Sequence, residues 1–284
     1  MKISVFPAYG SINSKPVFDA FIQNLKDKKE NYKINSYDDD TDVAVIWSVL
    51  WQGRMRSNRN IWEQFKKRNK PVVVLEVGGI KRNITWKVGI NGINRDADFA
   101  NETFDDKRWK KFDIQMKPWK QDGKNIIICG QHDTSEQWKN LPRMNNWLLE
   151  QITKIKKYTD RPIIVRPHPR NPIRIKMEGV KTVTPIRDPR TYDDTDFVSS
   201  LQNAWAVVNH SSNPAMQSVF NGVPVYVSKS SLSHDVGNTD YANIENPNRP
   251  DRTQWANKLA FTEWWIDEIK QGIPWQRLRE KIQK

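Results

Sequence analysis

The sequence predicts an α/β protein with two doubly wound, Rossmann-type domains that face a cleft, and with helices at the carboxyl end. The first observation is that short apolar runs alternate with longer amphipathic segments, which is the pattern of a parallel sheet with crossover helices. The second is that this alternation stops after Gly78-Gly79 and starts again at Asn125. The third is the length of 284 residues, which is enough for roughly two domains.

Four apolar runs predict the strands of the first half, at Lys2–Phe6, Tyr32–Ser36, Val43–Ser48 and Pro71–Glu76, and two amphipathic segments predict helices at Lys15–Lys28 and Asn58–Arg68. The polar and irregular segment 81–112 favours loops and one short strand pair. The stretch KPWKQDG at 117–123 combines proline, glycine and charges, which is typical of a domain linker.

The second half repeats the alternation, with strands predicted at Asn125–Cys129, Pro162–Arg166, Val180–Val183, Ala206–Asn209 and Val223–Val227, and helices at Met144–Tyr158, Asp194–Gln202 and Pro214–Asn221. The long carboxyl-terminal segment predicts two helices that are broken near Gly272 and Pro274. The domains predicted from these elements are 1–119 and 120–258, followed by helices at 259–284 that pack back across the domains.

The charge balance indicates an anionic partner. The chain has 46 Lys and Arg against 33 Asp and Glu, a formal net charge of +13, which favours nucleic acid, an anionic lipid surface or an acidic glycan. A basic surface that serves only solubility is the alternative. Cys129 is the one cysteine, so an internal disulfide is excluded and a reducing compartment is expected. No apolar run approaches the ~20 residues of a membrane span and the amino terminus is too polar for a secretory signal, so we expect a soluble, cytoplasmic protein.

The first candidate site is RPHPR at 166–170, directly after a predicted strand. Its two prolines fix the backbone so that His168 projects from the end of the strand. There His168 can hydrogen-bond a phosphate oxygen, and Arg166 or Arg170 can bind a phosphate through two parallel hydrogen bonds. A basic loop with a surface histidine is the alternative.

The stretch NHSSN at 209–213 lies where another predicted strand ends and a helix begins. Exposed backbone N–H groups and the helix dipole attract an anion at such a point. Ser211, Ser212 and Asn213 therefore form a second candidate group. Together with RPHPR, they predict a phosphate site in the second half of the chain.

The stretch GQHDTSEQW at 130–138 also follows a predicted strand. Asp133 lies among Gln131, His132, Thr134 and Ser135, and a carboxylate so placed can act as a base or a nucleophile once a neighbour orients it. The alternative is that Asp133 or Ser135 only caps the next helix.

A fourth stretch with possible chemistry is LEVGGIKRNI at 75–84. Glu76 ends an apolar strand there, and Gly78-Gly79 lets the backbone turn sharply. A plain turn is the alternative, and Glu76 could equally pair with Arg82.

In chain order these motifs resemble those of the glycosyltransferases of bacterial capsule polysaccharide synthesis, especially the Kdo transferase modules of the two-domain GT-B type. The resemblance spans roughly residues 70–275 and rests on order and spacing, because each motif is short. Its parts are a Glu-x-Gly-x-x-Arg segment (Glu76, Gly78 or Gly79, Arg82), a Gly-Gln segment followed by Asp-x-Ser (Gly130, Gln131, Asp133, Ser135), a His-Pro motif (His168, Pro169), and a Ser-Ser helix start that runs into GxPV (Ser211, Ser212, Gly222, Pro224, Val225).

The resemblance implies a GT-B-like fold and transfer of a sugar from a nucleotide-activated donor, with the nucleotide in domain 120–258 and the acceptor side in domain 1–119. It implies that Asp133 is the catalytic carboxylate and could be a nucleophile in a retaining mechanism, with Glu76 as the next candidate. The implied donor-binding residues are Gln131, Ser135, Arg166, His168, Pro169, Arg170, Ser211, Ser212, Asn213 and Gln217. Gln217 stands where many such helices carry a ribose-binding Glu, and the segment between Gln131 and Asp133 is short for the family. The nucleotide, the sugar and the stereochemical outcome therefore stay open.

The chain is also similar in build to the enzymes with which phages glycosylate hydroxymethylated pyrimidines in their own DNA, and a phage protein would act in the host cytoplasm. Such an enzyme needs a basic groove and aromatic groups near a flipped base. The acceptor-side candidates are Lys81, Arg82, Lys87, Arg95, Arg108, Lys110 and Lys111, with Trp51, Trp86 and Trp109 among them. DNA is favoured over a membrane because no apolar-faced helix rich in Leu and Phe offers a foothold. The alternatives are a Kdo-type transferase acting on a lipid-linked capsule glycan, and a non-catalytic nucleic-acid-binding protein on a transferase fold.

No metal ion and no cofactor are expected besides the nucleotide-sugar co-substrate. No Asp-x-Asp follows a predicted strand, and the run Asp38-Asp39-Asp40 lies in a polar connection. A helix dipole, His168 and arginine can supply the positive charge that a metal ion would.

Overall fold

The computed structural model describes residues 1–189 and 193–284, which form two compact units. Unit 1 comprises Met1–Phe112, Thr134–Glu136 and Ala256–Lys284, and unit 2 comprises Asp113–Asp133 and the described part of Gln137–Trp255. The division differs from the predicted one at the carboxyl end, where the final helices belong to unit 1.

The strands are β1 Lys2–Val5, β2 Asn31–Ile34, β3 Val43–Trp47, β4 Val72–Val77, β5 Thr85–Ile90, β6 Asn125–Cys129, β7 Ile163–Arg166, β8 Val180–Thr182, β9 Ala204–Asn209, β10 Val225–Tyr226 and β11 Glu263–Trp265. The α-helices are α1 Lys15–Asp27, α2 Arg56–Lys67, α3 Asp106–Phe112, α4 Met144–Ile155, α5 Phe197–Ser200, α6 Pro214–Phe220, α7 Thr253–Leu259, α8 Ile266–Gln271 and α9 Ile273–Ile282. The nine predicted strands are confirmed to within two residues at each end. In the described part of the chain, no helix has the length and apolar character required to cross a bilayer.

The sheet of unit 1 has the strand order β11-β5-β4-β3-β1-β2. β1 to β4 pair in parallel, whereas β5 pairs antiparallel with both β4 and β11. The short strand pair predicted within 81–112 is reduced to one regular strand, β5, whose last residue Ile90 forms an isolated antiparallel bridge with Asp98, and α3 follows. The partner of β5 on its outer side comes from the far end of the chain. Lys87, which is buried in β5, interrupts the apolar pattern by which the strand could have been recognised.

The carboxyl-terminal segment completes the core of unit 1. Trp264 and Trp275 are both buried, and the Trp275 ring centre lies 5.5 Å from that of Phe21 on α1. Arg108 on α3 lies 3.8 Å from the centre of the Trp264 ring and forms an ion pair of 2.9 Å with Glu268. The predicted helix break at Gly272 is confirmed between α8 and α9, whereas the first of the two predicted helices is divided into α7 and α8 by the strand β11.

The five strands of unit 2 are all parallel, in the order β10-β9-β6-β7-β8. The chain passes from β6 to β7 on one side and from β9 to β10 on the other, so the strand order reverses between β6 and β9. In doubly wound sheets, ligands lie beyond the carboxyl ends of the strands at such a reversal. This edge of unit 2 is therefore where a ligand site is expected.

The end of α6 requires glycine at position 222. The Val223 N–H donates to the Ser218 carbonyl at 2.9 Å and the Gly222 N–H donates to the Val219 carbonyl at 3.1 Å, which together form a Schellman motif. Gly222 has a φ of +75°, and a Cβ at this residue would lie 2.0 Å from the carbonyl oxygen of Pro118. Any side chain would therefore be strained by its backbone angle and would also collide with a neighbouring backbone.

We expect Gly222→Ala to destabilise the protein by more than the left-handed backbone angle alone costs, which is about 1–2 kcal/mol. Gly53→Ala is the matched control, because Gly53 has a φ of +54° but no atom within 4 Å of its Cβ position. Chemical denaturation of both variants and the wild type measures the difference. Equal losses of unfolding free energy in the two variants would show that the contact with Pro118 contributes nothing.

Candidate functional site

Gln131 joins the ends of β6 and β9 at the strand reversal of unit 2. Its side chain is 5 % exposed. Its Oε1 accepts the Ser211 N–H at 3.2 Å, and its Nε2 lies 3.5 Å from the Ser211 hydroxyl. Its backbone carbonyl accepts the Asn171 side-chain amide at 3.3 Å. The side chain and the backbone carbonyl of Gln131 together connect the loops that follow β6, β7 and β9.

His168 follows β7 at the same edge and is half-buried. Its Nδ1 accepts the Arg170 backbone N–H at 3.0 Å. Because Nδ1 is an acceptor, a neutral His168 ring carries its proton on Nε2. An imidazole N–H is the kind of donor on which the predicted phosphate contact of His168 depends, and that contact stays a prediction.

His132 packs against His168, with 4.1 Å between the two ring centres and 46° between their planes. Burial, together with the charge of Arg170 and against the opposing charge of Asp133, lowers the pKa of His132 to about 4. His132 is therefore uncharged at neutral pH. The sequence analysis gave this residue no role of its own.

Arg166 has a structural role in place of the predicted phosphate contact. Its side chain is 3 % exposed and forms ion pairs of 2.7 Å with Asp194 and 2.8 Å with Asp196. Arg166 holds the pKa of Asp196 well below its ordinary value. Both carboxylates precede the helical residues, and the predicted helix 194–202 is shortened to α5 and a single 3₁₀ turn. The guanidinium is thus already paired and buried.

Asp133 makes the contact expected of a helix cap. Its Oδ2 accepts the backbone N–H of Met144, the first residue of α4, at 3.0 Å. Within residues 1–189 and 193–284, this is the one hydrogen bond that its carboxylate accepts. Its second oxygen thus has no such partner in the described chain, and the carboxylate is half-buried. The geometry therefore gives Asp133 a capping role and still leaves one oxygen for chemistry.

The Ser-Ser segment lies at the start of α6, as predicted. Ser211 is buried and bonded to Gln131, and the hydroxyl of Ser212 accepts the Asn209 side-chain amide at 2.7 Å. Asn213 precedes the first helical residue, and Gln217 lies one turn further along α6, both half-buried. The predicted donor-binding residues Gln131, His168, Pro169, Arg170, Ser211, Ser212, Asn213 and Gln217 all belong to unit 2.

Ser135 is placed elsewhere. It forms an isolated β-bridge with Leu50, just beyond the end of β3, and its neighbours Thr134 and Glu136 bond the backbone of Trp51 and Val49. Residues 134–136 therefore belong to unit 1. Ser135 is fixed within unit 1 by this backbone pairing.

His210 adds a residue that the motif analysis did not select. Its ring packs edge-on against Trp138 and Trp147, with ring centres 5.0 and 6.4 Å away. Burial lowers its pKa, and its Nε2 lies 3.4 Å from the Ser230 hydroxyl. A cavity of about 450 Å³ opens beside it, lined by Trp147, Gln151, Lys154, Lys157, Tyr158, Asn209, His210, Tyr226, Val227, Ser228, Thr239, Asp240 and Tyr241. The available signal was a histidine in the polar stretch NHSSN, directly after the apolar run of β9.

In unit 1, the glycine turn after β4 is shaped by Glu263 of β11. This fully buried carboxylate accepts the N–H groups of Gly79 at 2.6 Å and Ile80 at 3.1 Å. A Cβ on Gly78 would lie 2.3 Å from it. Glu76, the second catalytic candidate, lies at the end of β4 and is half-buried, with one oxygen accepting the N–H of the next residue at 2.8 Å.

Two acceptor-side candidates are buried in unit 1 and a third, Arg108, is half-buried and engaged within the unit, so none of the three is a surface group for a polymer. Trp86 and Lys87 are 4 % and 2 % exposed, and burial lowers the pKa of Lys87. Arg108 is held by Glu268 and Trp264. The remaining candidates are half-buried or exposed, namely Lys81, Arg82, Arg95, Trp109, Lys110, Lys111 and Trp51. Of these, Lys110 pairs with Asp106 and Lys111 with Glu268.

Among the residues that the structure describes, no group of three or more His, Cys, Asp or Glu side chains is arranged to hold a metal ion.

Comparison with known proteins finds similarity in structure only. No protein-family model and no curated protein matches the chain. Two solved structures from Thermosulfurimonas dismutans match it at 13 % sequence identity. For the β-Kdo 2,4 transferase of KpsC the TM-score is 0.59, over 96 % of this chain and 98 % of that one. For the β-Kdo 2,7 transferase of KpsC it is 0.53, over 99 % and 100 %. The chain therefore has an α/β, GT-B-like fold, as the sequence predicts.

Proposed function

We propose that the chain is a glycosyltransferase that binds a nucleotide sugar in unit 2 and transfers the sugar to an anionic polymer. The observation that supports this most is the position of Gln131, His168 and Ser211, which come together at the strand reversal of a parallel sheet. This is the part of a doubly wound sheet where phosphorylated ligands bind. The fold shared with two sugar transferases gives independent support.

The site has the groups that a departing nucleotide phosphate needs. Negative charge grows on the phosphate as the sugar leaves it, and hydrogen-bond donors already in place stabilise that charge most. His168 offers an imidazole N–H, Arg170 adds an exposed cationic side chain, and Ser212 and Asn213 lie where α6 begins. In this proposal the phosphate binds between the loops after β7 and β9.

Asp133 is the proposed catalytic carboxylate. One of its oxygens is bonded to the start of α4, which orients the group, and the other is available. A carboxylate oriented in this way can act as a base or as a nucleophile. Glu76 in unit 1 is the candidate if Asp133 proves to be a cap alone.

For the acceptor, the net charge of +13 supports an anionic polymer, and hydroxymethylated pyrimidines in DNA are the acceptor that we propose first. One observation favours the second candidate, a lipid-linked glycan. Ile12 and Ile84 are 83 % and 54 % exposed, on two turns of unit 1 joined by an Asn13–Asn83 hydrogen bond of 3.5 Å. Exposed isoleucines near Lys81 and Arg82 suit the surface of an anionic bilayer.

The test is to incubate the protein with a panel of nucleotide sugars and either hydroxymethylated DNA or a lipid-linked glycan, and to weigh the digested products by mass spectrometry. A mass increase of one sugar on either acceptor supports the proposal and identifies the acceptor. The non-catalytic alternative would be favoured if the nucleotide sugar is neither hydrolysed nor used for transfer to either acceptor, and if the protein binds DNA in a salt-dependent way.

We expect His168→Ala to weaken binding of the donor nucleotide about tenfold to a hundredfold, since a hydrogen bond to a charged group contributes about 1.5–3 kcal/mol. Binding of the acceptor polymer should stay at the wild-type level. Calorimetric titration with UDP and CMP measures the first effect, and filter binding of the polymer measures the second. Unchanged nucleotide affinity would remove His168 from the donor site.

Two variants of Asp133 separate chemistry from capping. Asp133→Asn keeps an oxygen that can accept the Met144 N–H, so its stability should match the wild type, whereas its turnover should fall about a hundredfold or more. Asp133→Ala should lose the same turnover and about 1 kcal/mol of stability as well. Steady-state kinetics and thermal unfolding provide the two readouts. Near-normal turnover of Asp133→Asn would leave Asp133 as a helix cap.

Transfer is expected to continue in excess EDTA, because the charge on the leaving phosphate is neutralised by His168, Arg170 and backbone N–H groups in this proposal. The measurement is the initial rate before and after dialysis against EDTA. A complete loss of rate that magnesium or manganese restores would contradict it, and would require a metal-binding phosphate site.

A further inference from the structure

We propose that His132 is a positioning residue, which holds the His168 imidazole in the orientation needed to bind the phosphate of the donor. The inference rests on the proposed function for its ligand. The contact between the two rings is independent of that function, since it is a feature of the fold.

His168 is held at two points. The first is its Nδ1, which accepts the Arg170 N–H at 3.0 Å. A single hydrogen bond fixes the proton on Nε2 but still allows the ring to tilt about the bond. The second point is the ring of His132, at 4.1 Å between centres. The hydrogen bond at Nδ1 and the contact with the His132 ring together restrict rotation and tilting of the His168 imidazole.

His132 is itself firmly placed. It follows Gln131, whose buried side chain is bonded to the backbone of Ser211. Next to it, the Gly130 N–H donates to the Arg166 carbonyl at 2.8 Å, so the ends of β6 and β7 stay paired beyond the last strand residue. The support for His168 therefore comes from a neighbouring strand and does not depend on the RPHPR loop alone.

The charge state of His132 suits this role. Its Nε2 is buried without a hydrogen-bond partner among the described residues, which disfavours protonation. The charged groups that act on it are Arg170 and Asp133, which oppose each other. Two imidazolium rings at this separation would repel. An uncharged His132 therefore sets no positive charge against the His168 ring, which keeps Nδ1 as the acceptor of the Arg170 N–H.

The test compares variants that keep or remove the ring. His132→Phe keeps a flat ring without nitrogen, and His132→Ala removes it. For His132→Ala we expect nucleotide affinity to fall about tenfold through misplacement of His168, with turnover at saturating donor changed less. His132→Phe should restore affinity to within about threefold of wild type. His132→Leu, which keeps apolar volume without a plane, replaces His132→Ala if that variant does not fold.

A second readout needs no ligand and no activity. The chain has 4 His, so selective ¹⁵N labelling of histidine gives few ring signals. The variant His234→Ala identifies the signal of His234, which lies outside the site and serves as the reference. His168 should show the Nε2–H form in wild type and His132→Phe, and an averaged signal in His132→Ala. Calorimetry with UDP and CMP supplies the affinities.

The outcomes separate the two proposals. Wild-type affinity together with an unchanged His168 signal in His132→Ala would overturn the positioning role. Loss of affinity in His132→Phe equal to that in His132→Ala would also overturn it, because a nitrogen of His132 would then be needed. If the wild type binds no nucleotide, the proposed function fails, while the His168 signal still tests the contact between the rings.

Discussion

The pairing of β6 with β9 is the constraint on which the candidate site depends. The chain leaves these two strands on opposite sides, so their carboxyl ends part and leave a crevice. Gln131 occupies it and satisfies the buried N–H of Ser211, which would otherwise be costly to leave unpaired. The loops after β6 and β9, far apart in sequence, are thereby fixed to each other. The strand order creates the crevice at the carboxyl ends of β6 and β9, and the buried Gln131 side chain holds its two sides together.

Most of the fold could be predicted because buried parallel strands such as β3 and β9 are short runs of apolar residues, which a sequence displays directly. The exceptions, β5 and β11, have a common cause. Lys87 and Glu263 are directly opposite each other in these two strands, and both are buried. A charged residue indicates a loop when read locally. Its burial depends on an opposite charge that the chain supplies much later.

The site could also be predicted only as far as the local sequence allows, without knowledge of distant charged partners. Gln131, His168 and Ser211 follow strands that end at one edge, so their meeting could be predicted from strand order. The role of Arg166 could not, because its partners Asp194 and Asp196 lie in a segment that was expected to be helical. A cation beside a phosphate motif and a cation that anchors a loop have the same local sequence. The two cases differ in whether carboxylates lie next to the cation, and this is visible only in the folded chain.

The return of residues 256–284 to unit 1 affects how the protein is made. Unit 2 is complete once residue 255 has been synthesised, whereas unit 1 still lacks β11 and Trp264 at that point. Domains usually fold in the order in which they emerge from the ribosome, and here that order is reversed. During the delay β5 is the uncovered edge of an unfinished sheet, a place where other nascent chains could add a strand. Of these two units, the one that begins earlier in the sequence is the one whose core can close only later.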